Sequence, residues 1–200
     1  MAEASARSAT PEESRDALLA LLASAKRRDR QDASHQLVEM SKEHPELLLE
    51  RVEDIEEALY RPEAQTRWEC LDVLATLAEV DPARVVDGFD GAETSLFDEI
   101  SASVRLSAFR FIARVGASSP ELSLRAWPLL DEAVQCFHGD PEYRDMLFAL
   151  LEFAKGSISE EAKSAVAARV AFDAQKGSGY IKVISRQIFD AAKPDAEPQA

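Results

Sequence analysis

The chain has 200 residues, of which 46% are hydrophobic and 30% charged, and this composition predicts a folded core rather than a disordered chain. Its formal net charge is -14, from 23 Lys and Arg against 37 Asp and Glu, and this excess of acid disfavours general binding to nucleic acid or to an anionic membrane surface. The longest apolar runs, such as residues 17–23, fall far short of the roughly 20 residues that span a bilayer, so we expect no membrane-spanning segment.

The two ends of the chain, residues 1–10 and 194–200, have little to bury, and we expect both to be disordered. The N-terminal end lacks the apolar core of a signal peptide, and Cys70 and Cys136 lie far apart within helical patterns. These features favour a cytoplasmic location and leave residues 11–193 as one domain.

Helices are predicted throughout that domain, because apolar residues recur three and four positions apart and glycine is scarce, at seven residues. In chain order the pattern predicts pairs, with first helices at 11–26, 45–59, 82–99, 120–137 and 158–175 and second helices at 30–43, 63–79, 102–116, 141–155 and 179–193. A break is expected near 87–91, since Gly88 and Gly91 each disfavour a helix interior by about 1 kcal/mol.

The second helices repeat in sequence. Arg67, Arg105 and Arg144 recur at steps of 38 and 39 residues, and apolar residues occupy the same positions after each of them. Lys182 continues the series, and a weaker first copy begins at Gln31. Such a period is the sequence signature of stacked helix pairs.

The first helices carry their own marker. Prolines at positions 45, 82 and 120 follow residues able to cap a helix, and proline is preorganised for the first helical position. Thr10 and Glu13 form the pattern of a capping box at the start of the first helix. Each of these positions is predicted to begin a helix.

The chain resembles the HEAT/armadillo-like group of helical repeat proteins over residues 11–193. The resemblance rests on the helix-pair period, on the "SVR" of residues 103–105 at the start of a second helix, and on Pro128 inside a first helix. It implies an all-α fold, a right-handed α-α superhelix in the form of a short HEAT-like solenoid of about five helix pairs. Armadillo, phycobilin-lyase-type and DNA-alkylation-repair-type repeats share these features, so the subfamily stays open.

The resemblance also implies that the second helices line the concave side. Acids concentrate on the first helices, whereas the second helices are close to neutral or mildly basic. One interpretation is that the repeated arginines form an internal ladder with acids of adjacent units, for instance with Glu69, Asp72, Glu142 and Asp145. In the other, Arg110 and Arg114, four residues apart on one helical face, are left for an acidic partner. The candidate partner-binding residues on the concave strip are Arg105, Arg110, Arg114, Arg144, Lys182 and Arg186.

Other chemistry-bearing residues form no recognisable site. His35, His44 and His138 lack the spacing of metal ligands, so no metal is expected. Cys70 lies in a small-residue core position and is predicted to be a buried hydrophobe rather than a nucleophile. No catalytic residues and no cofactor are predicted.

The sequence therefore favours a non-catalytic protein-protein interaction or scaffold module that binds another protein, one with an acidic segment being suitable, along its concave surface. The alternative is a nucleic-acid-binding HEAT-like protein of the DNA alkylation repair type, which the net charge opposes. A third hypothesis is an enzyme or lyase-like accessory protein with a ligand between units. The oligomeric state stays open.

Overall fold

The computed structural model describes residues 9–193, and most of the two ends predicted to be disordered lie outside the described residues. Within residues 9–193 the chain forms α-helices and no strand. The helices are α1 (Pro11–Leu22), α2 (Arg27–Glu43), α3 (Pro45–Leu49), α4 (Val52–Ala58), α5 (Ala64–Val80), α6 (Phe89–Leu96), α7 (Ala102–Gly116), α8 (Pro120–Cys136), α9 (Tyr143–Lys155), α10 (Glu160–Lys176) and α11 (Gly179–Ala191), with a 3-10 helix at Pro82–Gly88 before α6.

The helices form two layers along the chain. The second helices α2, α5, α7, α9 and α11 each contact the next, while α1, α3 with α4, the 3-10 helix with α6, α8 and α10 supply the first helices. One continuous apolar core runs between the layers from Leu18 to Ala192. The predicted all-α solenoid of five helix pairs is confirmed.

The predicted helix starts are confirmed at the prolines. Pro45, Pro82 and Pro120 each occupy the first position of a helix. At the start of α1, the Glu13 amide donates to Thr10 Oγ1 at 3.2 Å and the Thr10 amide donates to Glu13 Oε2 at 2.9 Å, which is the predicted capping box.

The first helix predicted at 45–59 is wrong as a continuous helix, because the backbone breaks at Glu50 and Arg51 between α3 and α4. Arginines of neighbouring elements donate to carbonyls that the break leaves without helical partners. Arg15 Nη1 lies 3.3 Å from the Leu47 oxygen, and Arg84 Nη2 lies 2.8 Å from the Leu49 oxygen. These tertiary contacts supply hydrogen bonds to the carbonyl groups at the break, and no local sequence pattern encodes them.

The break expected at 87–91 is confirmed, since the 3-10 helix ends at Gly88 and α6 begins at Phe89. Gly91 lies on α6 where it meets the end of the preceding first helix. A Cβ there would come within 2.7 Å of Leu59 Cδ1, so close approach of the two units explains this glycine.

A ladder of ion pairs joins successive second helices near their N-terminal ends. Arg30 of α2 pairs with Glu63 at the start of α5, Arg67 of α5 with Asp98 before α7, and Arg105 of α7 with Glu142 at the start of α9. The Arg67–Asp98 distance is 2.7 Å, and the side chains of all three pairs are mostly buried. The predicted internal ladder therefore exists for Arg67 and Arg105, but its acids differ from most of those anticipated, and Arg30 replaces Gln31 in the first unit.

The ladder changes the titration of its acids. Burial by itself would raise the pKa of Glu63, but the hydrogen bonds from Arg30 and from its own backbone amide, together with the charges of Arg30 and Arg27, outweigh burial, and the pKa lies below its ordinary value. Burial likewise opposes the hydrogen bonds that Asp98 accepts from Arg67, Ser101 and Ile100, yet the pKa of Asp98 is also lowered. These two carboxylates stabilise the fold in their ionised form.

Asp98→Asn should destabilise the protein by about 2 kcal/mol, because Arg67 would lose its charged partner in a mostly buried site. Since the folded-state pKa of Asp98 is below its unfolded value, its contribution is present at neutral pH and is lost as the pH falls through the folded pKa. Between about pH 5 and pH 3, urea unfolding followed by circular dichroism should therefore show a shallower loss of stability in the variant than in wild type. Glu99→Gln, at an exposed neighbouring acid, is the control, and an equal effect of both changes would contradict the ladder.

Gly116, the last residue of α7, lies against α8. A Cβ at this position would overlap the Cβ of Ala126 and would lie 3.0 Å from Phe153 Cε2. The absence of a side chain thus sets how closely α7 and α8 approach.

Gly116→Ala should lower the free energy of unfolding by about 1 to 3 kcal/mol, because the added methyl must push α8 away. Helix propensity alone predicts the opposite sign, a gain of about 1 kcal/mol. Ser103→Ala, at an exposed position of α7, should stay within about 0.5 kcal/mol of wild type in the same chemical unfolding measurement. A stabilised Gly116→Ala protein would show that α7 and α8 are not held this closely.

Candidate functional site

An open groove of about 530 Å³ crosses three neighbouring second helices. Residues three or four apart on a helix share one face, and the residues that each helix contributes to the groove have this spacing. We call it the second-helix groove, and it is lined by Glu79 of α5, by Arg110, Ala113 and Arg114 of α7, by Ala117 after α7, and by Asp145, Phe148, Ala149 and Glu152 of α9.

The two arginines of the groove bridge to acids on either side. Arg114 Nη1 lies 2.6 Å from Glu79 Oε1 and 2.9 Å from the Ala75 carbonyl oxygen, both on α5. Arg110 Nη2 lies 3.7 Å from Asp145 Oδ2 on α9. Both arginines point to the surface as predicted, but neither lacks a partner, because the adjacent units supply acids.

A carboxylate also lies between α5 and α7 beside Arg110. Burial raises the pKa of Asp72, while Ser107 and the nearby charge of Arg110 oppose that shift. Arg110 therefore lies between two carboxylates of different units, and its charge is partly balanced from both sides.

Phe148 supplies the large apolar surface of the groove and was not singled out from the sequence. Its side chain is 42% exposed, and the small side chains of Ala113 and Ala149 leave the space beside it open. Arg144 lies over the Phe148 ring at 5.6 Å from the ring centroid. The sequence did offer one signal. Phe148 directly follows Leu147, which is buried at an equivalent position of the repeat, so Phe148 lies where the helix surface changes from buried to exposed.

Of the other candidate partner-binding residues, Arg144, Lys182 and Arg186 are exposed, and Arg105 belongs to the ladder of ion pairs. Lys182 and Arg186 are exposed on α11, where Arg186 Nε lies 3.0 Å from Asp190 Oδ2. Arg144 and Lys182 form no ion pair with any side chain of residues 9–193.

Arg105 instead pairs with buried Glu142 and donates to the Asp98 carbonyl oxygen at 2.9 Å. Its guanidinium is thus used within the fold, so we leave Arg105 out of the surface proposed below.

The described residues supply no obvious metal centre, since no group of three or more His, Cys, Asp or Glu side chains in residues 9–193 could hold a metal ion. Nor does any helix in that range have the length and apolar character needed to cross a bilayer. The histidines lie near single acids, as His35 does beside Glu69 at 3.2 Å.

The two cysteines differ in environment. Cys70 is completely buried, and burial together with the charge of Glu69 raises the pKa of its thiol far above the ordinary value. Cys136 is exposed at the end of α8. Both are free, and Cys70 is a buried hydrophobe as predicted.

The comparisons with known proteins bear on the fold. No protein-family model matches the chain, and no curated protein matches it. An engineered protein solved by a structural genomics consortium is similar at 15% identity and a TM-score of 0.74, over 92% of this chain and 84% of that one.

Two designed armadillo repeat proteins are similar as well. One, solved in complex with the peptide (KR)4, is 14% identical with a TM-score of 0.73, over 93% of this chain and 88% of that one. The other, computationally designed for modular peptide recognition, is 15% identical with a TM-score of 0.70, over 87% of this chain and 80% of that one. The chain thus has the armadillo-like helical repeat fold that the sequence suggested.

A thiol reagent such as dithiobis(nitrobenzoate) should modify one cysteine in the folded protein and both in denaturant. Reagent access and thiolate formation favour exposed Cys136 and disfavour buried Cys70. Cys136→Ser should abolish the rapid reaction of the folded protein, and absorbance of the released thiolate measures it. Rapid modification of Cys70 in that variant would show that the α5 core opens readily.

Proposed function

We propose that this chain is a non-catalytic binding module that holds an extended segment of a partner protein across its second helices. The observation that carries the proposal is the second-helix groove, in which one half-exposed aromatic ring lies beside alanines and between charged walls. Apolar anchors surrounded by polar contacts are typical of protein recognition sites.

The fold suits this use. Repeat stacking produces a long surface from equivalent faces of successive helices, and such surfaces can follow an extended chain. Two of the similar solved structures are designed armadillo proteins, one in complex with a peptide and one for modular peptide recognition. This similarity supports a peptide-like partner here.

The charges near the groove favour a segment with acidic residues around an apolar one. Arg144, which lies over the Phe148 ring, has no acidic partner among residues 9–193, and neither does Lys182 on α11, outside the groove. The pairs made by Arg110 and Arg114 are half-exposed, and such pairs contribute only about 0 to 1 kcal/mol, so a carboxylate of the partner can replace their present acids.

A phosphate backbone suits this surface less well. The chain carries a net charge of -14, and acids contribute to both walls of the groove beside the arginines. Binding to duplex nucleic acid depends on many uncompensated cations. No observation on the described residues favours the nucleic-acid alternative.

A peptide display selection followed by fluorescence anisotropy tests the proposal. Selected peptides should be enriched in an aromatic or aliphatic residue flanked by Asp or Glu. Phe148→Ala should weaken their binding about tenfold or more, because it removes the apolar anchor surface. Leu124→Ala is the matched control, since Leu124 is similarly exposed, at 46%, but lies on the first helix α8.

Equal loss of affinity in the two variants would contradict the groove as the binding surface. Selection of Lys- and Arg-rich peptides would contradict the proposed charge preference while keeping the peptide-binding role. Failure to select any peptide, together with tight salt-dependent binding of duplex DNA, would favour the alternative.

A further inference from the structure

A second cavity, of about 320 Å³, lies between α8, α9 and α10 and shares no residue with the second-helix groove. It opens where the fourth helix pair meets the fifth. Its lining is Val134 and Gln135 of α8, His138 in the turn after α8, Tyr143, Leu147 and Leu150 of α9, and Arg169, Val170, Phe172 and Asp173 of α10. Its volume is at the lower end of the range, about 300 to 1,000 Å³, in which small molecules bind.

The floor of this cavity is apolar. Val134, Leu147, Leu150 and Val170 are all buried in the core. They offer no hydrogen-bonding group, so the part of a ligand that reaches the floor must be a hydrocarbon or an aromatic ring.

Tyr143 directs a polar group into the same space. The residue is only 4% exposed, yet its hydroxyl has no hydrogen-bond partner within residues 9–193. Burial and the charge of Asp173 raise the pKa of Tyr143 to about 12, so the hydroxyl keeps its proton at neutral pH. The hydroxyl is not among the fully buried side-chain atoms, so it is accessible from the cavity, and a ligand there can supply the hydrogen bond that the protein does not.

Asp173 supplies the carboxylate of the cavity. Arg169, the cation of the lining, is held by both carboxylate oxygens of Asp131. His138 Nε2 lies 3.9 Å from Asp173 Oδ2, which is beyond hydrogen-bonding distance. The Asp173 carboxylate therefore accepts no hydrogen bond from residues 9–193, and it can pair with a cation that enters the cavity.

Aromatic residues line the same cavity as that carboxylate. His138 lies against Tyr143 with ring centroids 4.7 Å apart, and Phe172, next to Asp173 in sequence, is 72% exposed at the rim. Aromatic ring faces attract cations, and several rings together bind ammonium groups in proteins. A cation with an apolar body could pair with the partly buried Asp173 carboxylate and cover the exposed Phe172 ring at the same time.

We propose that this cavity binds a small organic cation, a primary or N-methylated ammonium group that carries an aromatic or aliphatic body. The ammonium group pairs with Asp173 and contacts the Tyr143 and Phe172 rings, while the apolar body lies on Val134 and Leu147. An anionic ligand of the same shape is disfavoured by Asp173. This proposal is independent of peptide binding at the second-helix groove.

The test uses 2-phenylethylammonium as the probe, titrated into the full chain labelled with ¹⁵N. Two probes of similar shape, neutral 2-phenylethanol and anionic 3-phenylpropanoate, vary only the charge. The cation should bind about tenfold more tightly than the alcohol, because only the cation gains a charge-assisted contact with Asp173, and the carboxylate should bind more weakly still. Amide shifts should concentrate at the C-terminal end of α8, the first turn of α9 and the second half of α10.

Three variants locate the site. Asp173→Asn and Phe172→Ala should each weaken binding of 2-phenylethylammonium about tenfold. Glu161→Gln, at an exposed acid of the same helix, and Phe148→Ala in the second-helix groove should leave it unchanged. Circular dichroism verifies that each variant is folded.

Equal affinities for the cation and the alcohol would overturn the proposal, as would absence of binding at millimolar probe. Shifts located in the second-helix groove rather than around Asp173 would also overturn it. Because Phe148→Ala impairs the groove alone, failure of one site is distinguishable from failure of the other.

Discussion

The whole structure depends on burial of the apolar faces that successive helix pairs cannot cover by themselves. Each second helix contacts the one before and the one after it, and the core continues through all five pairs. Glycines allow neighbouring helices to approach closely at these contacts, as Gly91 does against Leu59 and Gly116 against Ala126. The same stacking leaves equivalent outer faces of the second helices side by side, which is how residues from three units come to line one groove.

Position along a helix decides what each arginine does. Arg67 and Arg105 lie in the first turns of α5 and α7, where the start of the next second helix brings an acid within reach. Arg110 and Arg114 lie further along α7, where their ion-pair partners Asp145 and Glu79 are themselves exposed, so both arginines stay at the surface. One end of the helix layer is thus fastened by buried ion pairs, and the remainder is free to present its side chains to solvent.

Helix α9 contributes residues to two separate depressions of the surface, the second-helix groove and the cavity beside α10. Phe148 faces the groove, near arginines, whereas Tyr143 lines the cavity that contains Asp173. The two faces are separated by the buried core, so a change on one side need not disturb the other. A repeat protein can carry separate recognition sites in this way, because every helix has one face toward each neighbouring unit.

The sequence by itself determined the helical class, the helix-pair period, the proline starts and the buried state of Cys70, because periodicity and capping are local properties. It also indicated an arginine ladder. Only the tertiary structure decided which acids complete it, since the paired residues lie 31 to 37 positions apart and the connecting loops differ in length. The break at Glu50 and Arg51, the exposure of Phe148 and the cavity around Asp173 likewise depend on how neighbouring units fit together, and that fit is set by side-chain volumes across the stack rather than by any local pattern.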